Sequence, residues 1–180
     1  TVVEQPSPNL AALDPLLAAL ATSLKLHPSQ LRITELEAIT WPNLCFDFIR
    51  SNAAACPGAP VPGFQGLVET TQALFGGPPL YAFRSSQDAQ LVFSIPAAAL
   101  AARQDLASRL NLEAEAVEVA AVKPVTWPDT CALLPTPHPK NAICLSVAMP
   151  GWQIELRVRS SIYKYATDLN GLELLRSSEP

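Results

Sequence analysis

The sequence predicts an α+β fold made of two tandem repeats, each a helix packed on a curled antiparallel sheet in the order α-β-β-β-β. Self-similarity is the first observation behind this. Thr40-Trp41-Pro42-Asn43-Leu44-Cys45 recurs as Thr126-Trp127-Pro128-Asp129-Thr130-Cys131. Upstream of these motifs, without a gap, Leu20, Leu24, Leu26, Leu31, Ile33, Leu36 and Ile39 match Leu106, Leu110, Leu112, Val117, Val119, Val122 and Val125. Downstream, Cys56 falls opposite Cys144, and Pro62-Gly63-Phe64-Gln65 opposite Pro150-Gly151-Trp152-Gln153. Leu80-Tyr81-Ala82-Phe83 answers Ile162-Tyr163-Lys164-Tyr165 once an insertion of about six residues is allowed in the first copy. The copies run from near 8 to 93 and from 94 to 176. Helical periodicity at the start of each copy, and two-residue alternation broken by turn signals in the rest, are the second and third observations.

In the first copy Asp14 is a cap candidate with Pro15 in the first helical position, and Leu17, Leu20 and Leu24 recur at helical spacing. In the second, Ser94 is the cap candidate, Pro96 lies in the first turn, Leu106 and Leu110 share a face and Asn111 terminates. Next, Leu31 and Ile33 alternate and then shift phase at Leu36, as Val117 and Val119 do at Val122, which predicts a bulge in both copies. Ile143, Leu145, Val147 and Met149 read as a strand, Pro150-Gly151 as a turn, and Ile154, Leu156 and Val158 as the next strand. Ser160-Ser161 turns into Ile162 to Thr167, and Asn170-Gly171 marks a hairpin before Leu172 to Leu175.

Composition narrows the function classes. Of 180 residues 49% are hydrophobic and only 16% charged, enough apolar material for packed cores and too little for a disordered chain. No apolar run reaches the roughly 18 residues of a membrane span. Twelve Lys and Arg against sixteen Asp and Glu give a net charge of −4 with no basic cluster, which argues against a nucleic-acid partner. So low a charged fraction leaves an unusual share of the surface to Ala, Pro, Leu or uncharged polar groups, and part of that surface is expected to meet another protein. The opening residue Thr1 suits a cleaved mature product and a trimmed chain equally.

The four cysteines sit two per copy, at matching positions. A duplicated unit that carried its own bridge predicts Cys45 with Cys56 and Cys131 with Cys144, each closing a short loop and contributing on the order of 3 kcal/mol. Persistent disulfides place the protein in an oxidising compartment, extracellular, periplasmic or at the cell surface. Zinc is poorly served, because the cysteines are widely spaced and only His27 and His138 could assist.

No catalytic, cofactor-binding or metal-binding residue is expected, and the chain does not read as an enzyme. The nearest nucleophile and base, Cys131 and His138, lose their chemistry if Cys131 is bridged. Asp129, matched by Asn43, is expected to make a local turn bond, and Glu113, Glu115 and Glu118 to be solvated. There is no Gly-rich phosphate loop and no H-E-x-x-H.

Trp41 and Trp127 are expected as core anchors beside the bridged loops. Phe64 and Trp152, after a Pro-Gly turn, are partner-binding candidates, as is Phe75, which lies in the insertion beside Gly76-Gly77-Pro78-Pro79. The competing reading folds Phe75 down as a lid. The first copy also has Pro57-Gly58-Ala59-Pro60-Val61 where the second has Leu145 to Met149, and prolines break a strand ladder. Asymmetry of this kind fits a partner-specific surface or loop drift after duplication.

The ending Tyr163-Lys164-Tyr165-Ala166-Thr167-Asp168-Leu169-Asn170-Gly171-Leu172-Glu173-Leu174 resembles that of PepSY-like domains, Y-x-Y-x-x-D-x-x-G-x-x-L. The first copy departs from it, with Asp88-Ala89 in place of Asn-Gly. The resemblance implies an extracytoplasmic, non-catalytic unit that binds protein surfaces or holds peptidases inactive. In overall plan the chain also looks like secreted beta-lactamase inhibitor proteins. The expected function is therefore a secreted protein-binding module, an inhibitor or regulator of an extracellular peptidase or hydrolase. The alternative is a structural subunit of a cell-surface or extracellular assembly.

Overall fold

The computed structural model describes residues 13–43, 59–72, 77–134, 140–172 and 174–178. The protein is α+β, and it divides into two compact units, Thr1–Gln72 with Tyr81–Ile95, and Ala73–Leu80 with Pro96–Pro180. Each repeat runs from a helix through a single 3-10 turn into a four-stranded meander. In the first these are α1 (Leu13–Leu24), the 3-10 turn Pro28–Gln30, β1 (Leu31–Trp41), β2 (Val61–Thr70), β3 (Leu80–Ser86) and β4 (Val92–Pro96). In the second they are α2 (Ala97–Leu110), the 3-10 turn Ala114–Ala116, β5 (Glu118–Trp127), β6 (Met149–Val158), β7 (Ser161–Asp168) and β8 (Leu174–Ser178). Both sheets keep the strands in chain order.

Both helices stop in the same way. Lys25 and Asn111 take left-handed backbone angles, φ 57 and 52 degrees. The next residues, Leu26 and Leu112, then donate back to Ala21 O and Ala107 O, each at 2.9 Å. These bonds satisfy carbonyls that the helix end leaves without partners. The starts differ from the sequence reading. Asp14 lies inside the first turn of α1. Pro96 occupies the cap of α2 without a side-chain bond, and Ser94 sits in β4, its hydroxyl 3.0 Å from that of Ser23. Leu110 stays exposed, because α2 buries the stripe Ala98, Ala99, Ala102, Arg103, Leu106 and Ala107 instead.

The core of the first unit is Leu16, Leu20 and Ala21 of α1 against Leu31, Phe64, Val68 and Phe83 of the sheet. The matching positions of the second unit hold Ala102, Leu106 and Ala107 against Val117, Trp152, Leu156 and Tyr165. Tyr165 is the one polar replacement among them that is fully buried, and its hydroxyl donates to Asp105 Oδ2 of α2 at 2.7 Å.

The shared phase break is a shared bulge: register shifts between Ile33 and Glu35 against β2, and between Val119 and Ala121 against β6. Beside each bulge a cross-strand ion pair occupies equivalent positions with its signs exchanged. Arg32 of β1 pairs with Glu69 of β2, whereas Glu118 of β5 pairs with Arg157 of β6 at 3.2 Å. Glu118 is thus partnered rather than simply solvated, because the register sets it directly opposite Arg157.

Three of the remaining expectations are settled by pairing. Asn170-Gly171 does form the turn between β7 and β8, with Gly171 at φ +74 degrees and so close to Ala98 that a Cβ would strike its Cα at 2.7 Å. The Asn170 side chain accepts from Leu80 N at 3.1 Å and donates to Pro78 O at 3.3 Å. Pro150-Gly151 does not turn; it lies inside β6, opposite Thr126 and Val125. Nor do Ile143 to Val147 form a strand. β5 ends at Trp127, opposite Met149, so the sheet offers no ladder further upstream.

The first repeat makes its β3–β4 turn with Ala89 where the second has Gly171, and Ala89 holds φ 55 degrees. An alanine is strained there and a glycine is not. Ala89→Gly is expected to stabilise the protein by about 0.5–1 kcal/mol in urea denaturation. In the same turn the Asp88 carboxylate accepts from the Ser86 hydroxyl at 2.6 Å and from Gln90 N at 3.1 Å. Those bonds, the Ser86 one foremost, hold its carboxyl below the ordinary Asp value. A lowered folded-state pKa stabilises above the unfolded value of about 3.9 and ceases to as pH falls through the folded value. NMR titration should therefore give Asp88 a midpoint below 3.9, with protection of the Gln90 amide falling only in that acid range.

Candidate functional site

The candidate surface lies in the loop between β5 and β6, described over 128–134 and 140–148, and its geometry begins at the strand ends. Pro128 follows Trp127 and cannot continue the ladder, so β5 stops there. The Trp127 indole turns across the sheet, lies over Gly151 of β6, and donates to Thr167 O of β7 at 2.9 Å. A Cβ on Gly151 would collide with Thr167 O and with Trp127 Nε1. The first repeat repeats the arrangement: Trp41 covers Gly63 and donates to Ser85 O at 3.0 Å. The Gly of each Pro-Gly pair is needed for this close approach, not for a turn.

Past Pro128, Asp129 Oδ1 accepts from Cys131 N at 2.8 Å, the local turn bond expected of an Asp at that place. It points Cys131 inward, where Cys131 is 2% exposed, and Leu133 follows it into the interior. Cys131 is bonded to Cys144. The predicted Cys45–Cys56 bridge falls outside the described residues, as does His138.

The disulfide brings 142–148 back against the start of the loop, where Thr130 holds it. Thr130 N donates to Leu145 O at 3.1 Å, and Leu145 N donates to Thr130 Oγ1 at 2.9 Å. Thr130 Oγ1 donates to Ile143 O at 3.4 Å, and Val147 N to Leu145 O at 2.8 Å. With the backbone fixed this way, the apolar side chains are left in solvent: Ile143 is 82% exposed, Leu145 52% and Val147 38%. This row is the alternating segment that the sequence pattern assigns to a strand.

Two of the three predicted contact residues, Phe64 and Trp152, are among the described residues. Phe64 is only 5% exposed and belongs to the core of the first unit, which removes it from any contact surface. Trp152 is half-buried, with its indole N–H committed to Leu169 O at 3.0 Å. Phe75 lies outside the described residues. A hollow of about 420 Å³ opens beside the β3–β4 turn, lined by Val61, Pro62, Asp88, Gln90 and Leu91 among others. Its one carboxylate is the Asp88 group already engaged by Ser86 and Gln90.

Among the described residues no group of three or more His, Cys, Asp and Glu side chains could hold a metal ion, and no helix is long and apolar enough to cross a membrane. Residues 99–175 match a family described as Domain of unknown function (DUF8738). The matched span starts in α2 and ends in β8, so the likeness covers one repeat and less than half of the chain. No curated protein and no solved structure matches.

Because the indole of Trp127 spans three strands, its loss should be felt beyond one hydrogen bond. Trp127→Phe keeps most of the apolar area and is expected to cost about 1–2 kcal/mol. Gly151→Ala, which forces backbone apart, should cost at least about 2 kcal/mol. Urea denaturation measures both. Equal stability of Gly151→Ala and wild type would contradict the close packing described.

Proposed function

We propose that the protein is a non-catalytic, extracytoplasmic protein-binding module and that the row Ile143, Leu145 and Val147 is its contact surface. The observation that carries this reading is the exposure of three large apolar side chains on a segment whose backbone is held by a disulfide and by Thr130. Binding to a segment already fixed loses little conformational entropy, which is what a contact surface requires. Exposed apolar side chains set close together mark interaction sites more often than scattered ones do. The Cys131–Cys144 bridge supports an oxidising compartment.

The PepSY-like ending supports binding over catalysis, although in this chain its residues have structural roles. Tyr165 is buried against Asp105, and Gly171 makes the turn against α2. An extracellular peptidase or hydrolase is the partner class that resemblance brings. A structural subunit is the second reading, favoured by the low charge of the chain.

Immobilised full chain should retain a defined protein from the extracellular fraction, and Ile143→Asp should lose it with its melting temperature unchanged. Retention of the same protein by Ile143→Asp, with loss by Phe75→Ala or Trp152→Ala, would overturn the assignment of the surface.

A further inference from the structure

Aligning Cys56 with Cys144 sets Pro57, Gly58, Ala59 and Pro60 opposite Leu145, Ser146, Val147 and Ala148. Proline has no N–H, so the sequence of the first repeat cannot take an added strand at this place. The second repeat has neither proline nor glycine from Asn141 to Met149. It has instead Ile143, Leu145 and Val147 alternating with Cys144, Ser146 and Ala148, a pattern suited to a strand.

Peptide groups alternate in direction only where a chain is extended, and here the bond from Val147 N to Leu145 O at 2.8 Å makes a tight turn centred on Ser146. Ile143 O and both polar groups of Leu145 face Thr130. The backbone groups of Cys144 and Ser146 have no hydrogen-bond partner among the described residues.

We propose that 142–148 is a strand-addition site, and that its occupant is the same segment of a second copy of this chain, paired antiparallel about a two-fold axis at Leu145. The inference rests on the reading of this row as a contact surface and names the partner. The apolar positions are symmetric about Leu145. Two-fold pairing sets Ile143 opposite Val147 twice and Leu145 opposite Leu145, on one face. Leu145 becomes a pair without mutual hydrogen bonds, as its inward peptide groups require, while Cys144 and Ser146 exchange bonds with Ser146 and Cys144 of the second copy.

Charge points the same way. No charged residue occurs from Asn141 to Ile154, so two chains of net charge −4 meet here without like charges face to face. A strand carrying Lys or Glu would find no counter-charge. The Val147–Leu145 bond has to open, and the turn at Ser146 to straighten, before Ser146 can pair with Cys144 of the second copy. One strand pair is a small interface, so association is expected at roughly 10–100 µM.

Sedimentation equilibrium of the full chain from about 5 to about 500 µM tests this. Wild type should show a reversible monomer–dimer equilibrium. Leu145→Glu, which sets two carboxylates together, and Ser146→Pro, which removes the Ser146 N–H, should each weaken it at least about tenfold with unchanged circular dichroism and melting temperature. Should either variant lose stability, Val147→Lys at the end of the row replaces it, with the same weakening expected. Amide exchange at Cys144 and Ser146 should slow with rising concentration while Leu145 stays constant. A wild type monomeric throughout, or a dimer that persists in the stable variants, overturns the pairing. If wild type is monomeric and Ile143→Asp still loses an extracellular partner, the two-fold pairing fails and the binding reading stands. If dimerisation behaves as expected and no extracellular protein is retained, self-association is the use of the surface.

Discussion

The close approach of an indole to a glycine sets the limits of both sheets. A tryptophan at the end of the first strand reaches over the second strand to a carbonyl of the third, Trp41 to Ser85 and Trp127 to Thr167. Only glycine on the intervening strand permits it, at Gly63 and Gly151. Three strands are thus tied at one end by a single side chain whose N–H is satisfied and whose ring covers otherwise bare backbone. The proline after each tryptophan ends the ladder, and the chain is free to leave the sheet as a loop.

Between these fixed points the repeats exchange chemistry and keep geometry. The reversed ion pairs, Arg32 with Glu69 and Glu118 with Arg157, show two positions that need to attract one another but not to carry a particular sign. Tyr165 brings a hydroxyl to a place where the first repeat has Phe83. That hydroxyl is affordable because α2 supplies Asp105 opposite it, where α1 has Ala19. A buried phenol without that acceptor would lose its hydration with nothing in return.

The repeat, the helix ends, the bulges and the β7–β8 turn were legible because each depends on local pattern: apolar spacing, a left-handed Asn, an Asn-Gly pair. Misreadings arose where a residue type serves two ends. Pro150-Gly151 carries the signature of a turn, yet the glycine answers to a tryptophan on the neighbouring strand, a long-range demand invisible in spacing. Ile143, Leu145 and Val147 alternate as a strand does, but alternation cannot reveal that β5 has already ended. A Pro-Gly turn leaves a following aromatic such as Phe64 or Trp152 as easily exposed as buried, and once that pair lies within a strand Phe64 falls on its inner face. The disulfide was readable from the duplication, whereas what it leaves in solvent was not.

Exposure of the apolar row is not in conflict with folding, and the reason lies in where its anchorage comes from. A segment held in place by hydrophobic burial must hide its apolar side chains in order to be ordered. Here order comes from Cys144, bonded to a buried Cys131, and from the paired hydrogen bonds of Leu145 with Thr130. A covalent link restricts the unfolded chain as well as the folded one, so part of the ordering cost is met before any side chain is placed. Ile143, Leu145 and Val147 are thereby released from any duty to the core. The sequence of the first repeat, with prolines at the matching positions, gives up those apolar side chains altogether. Among the described residues, the second unit combines a backbone anchored by a disulfide and by Thr130 with an uncharged apolar row, and that combination is what distinguishes its surface from an ordinary loop.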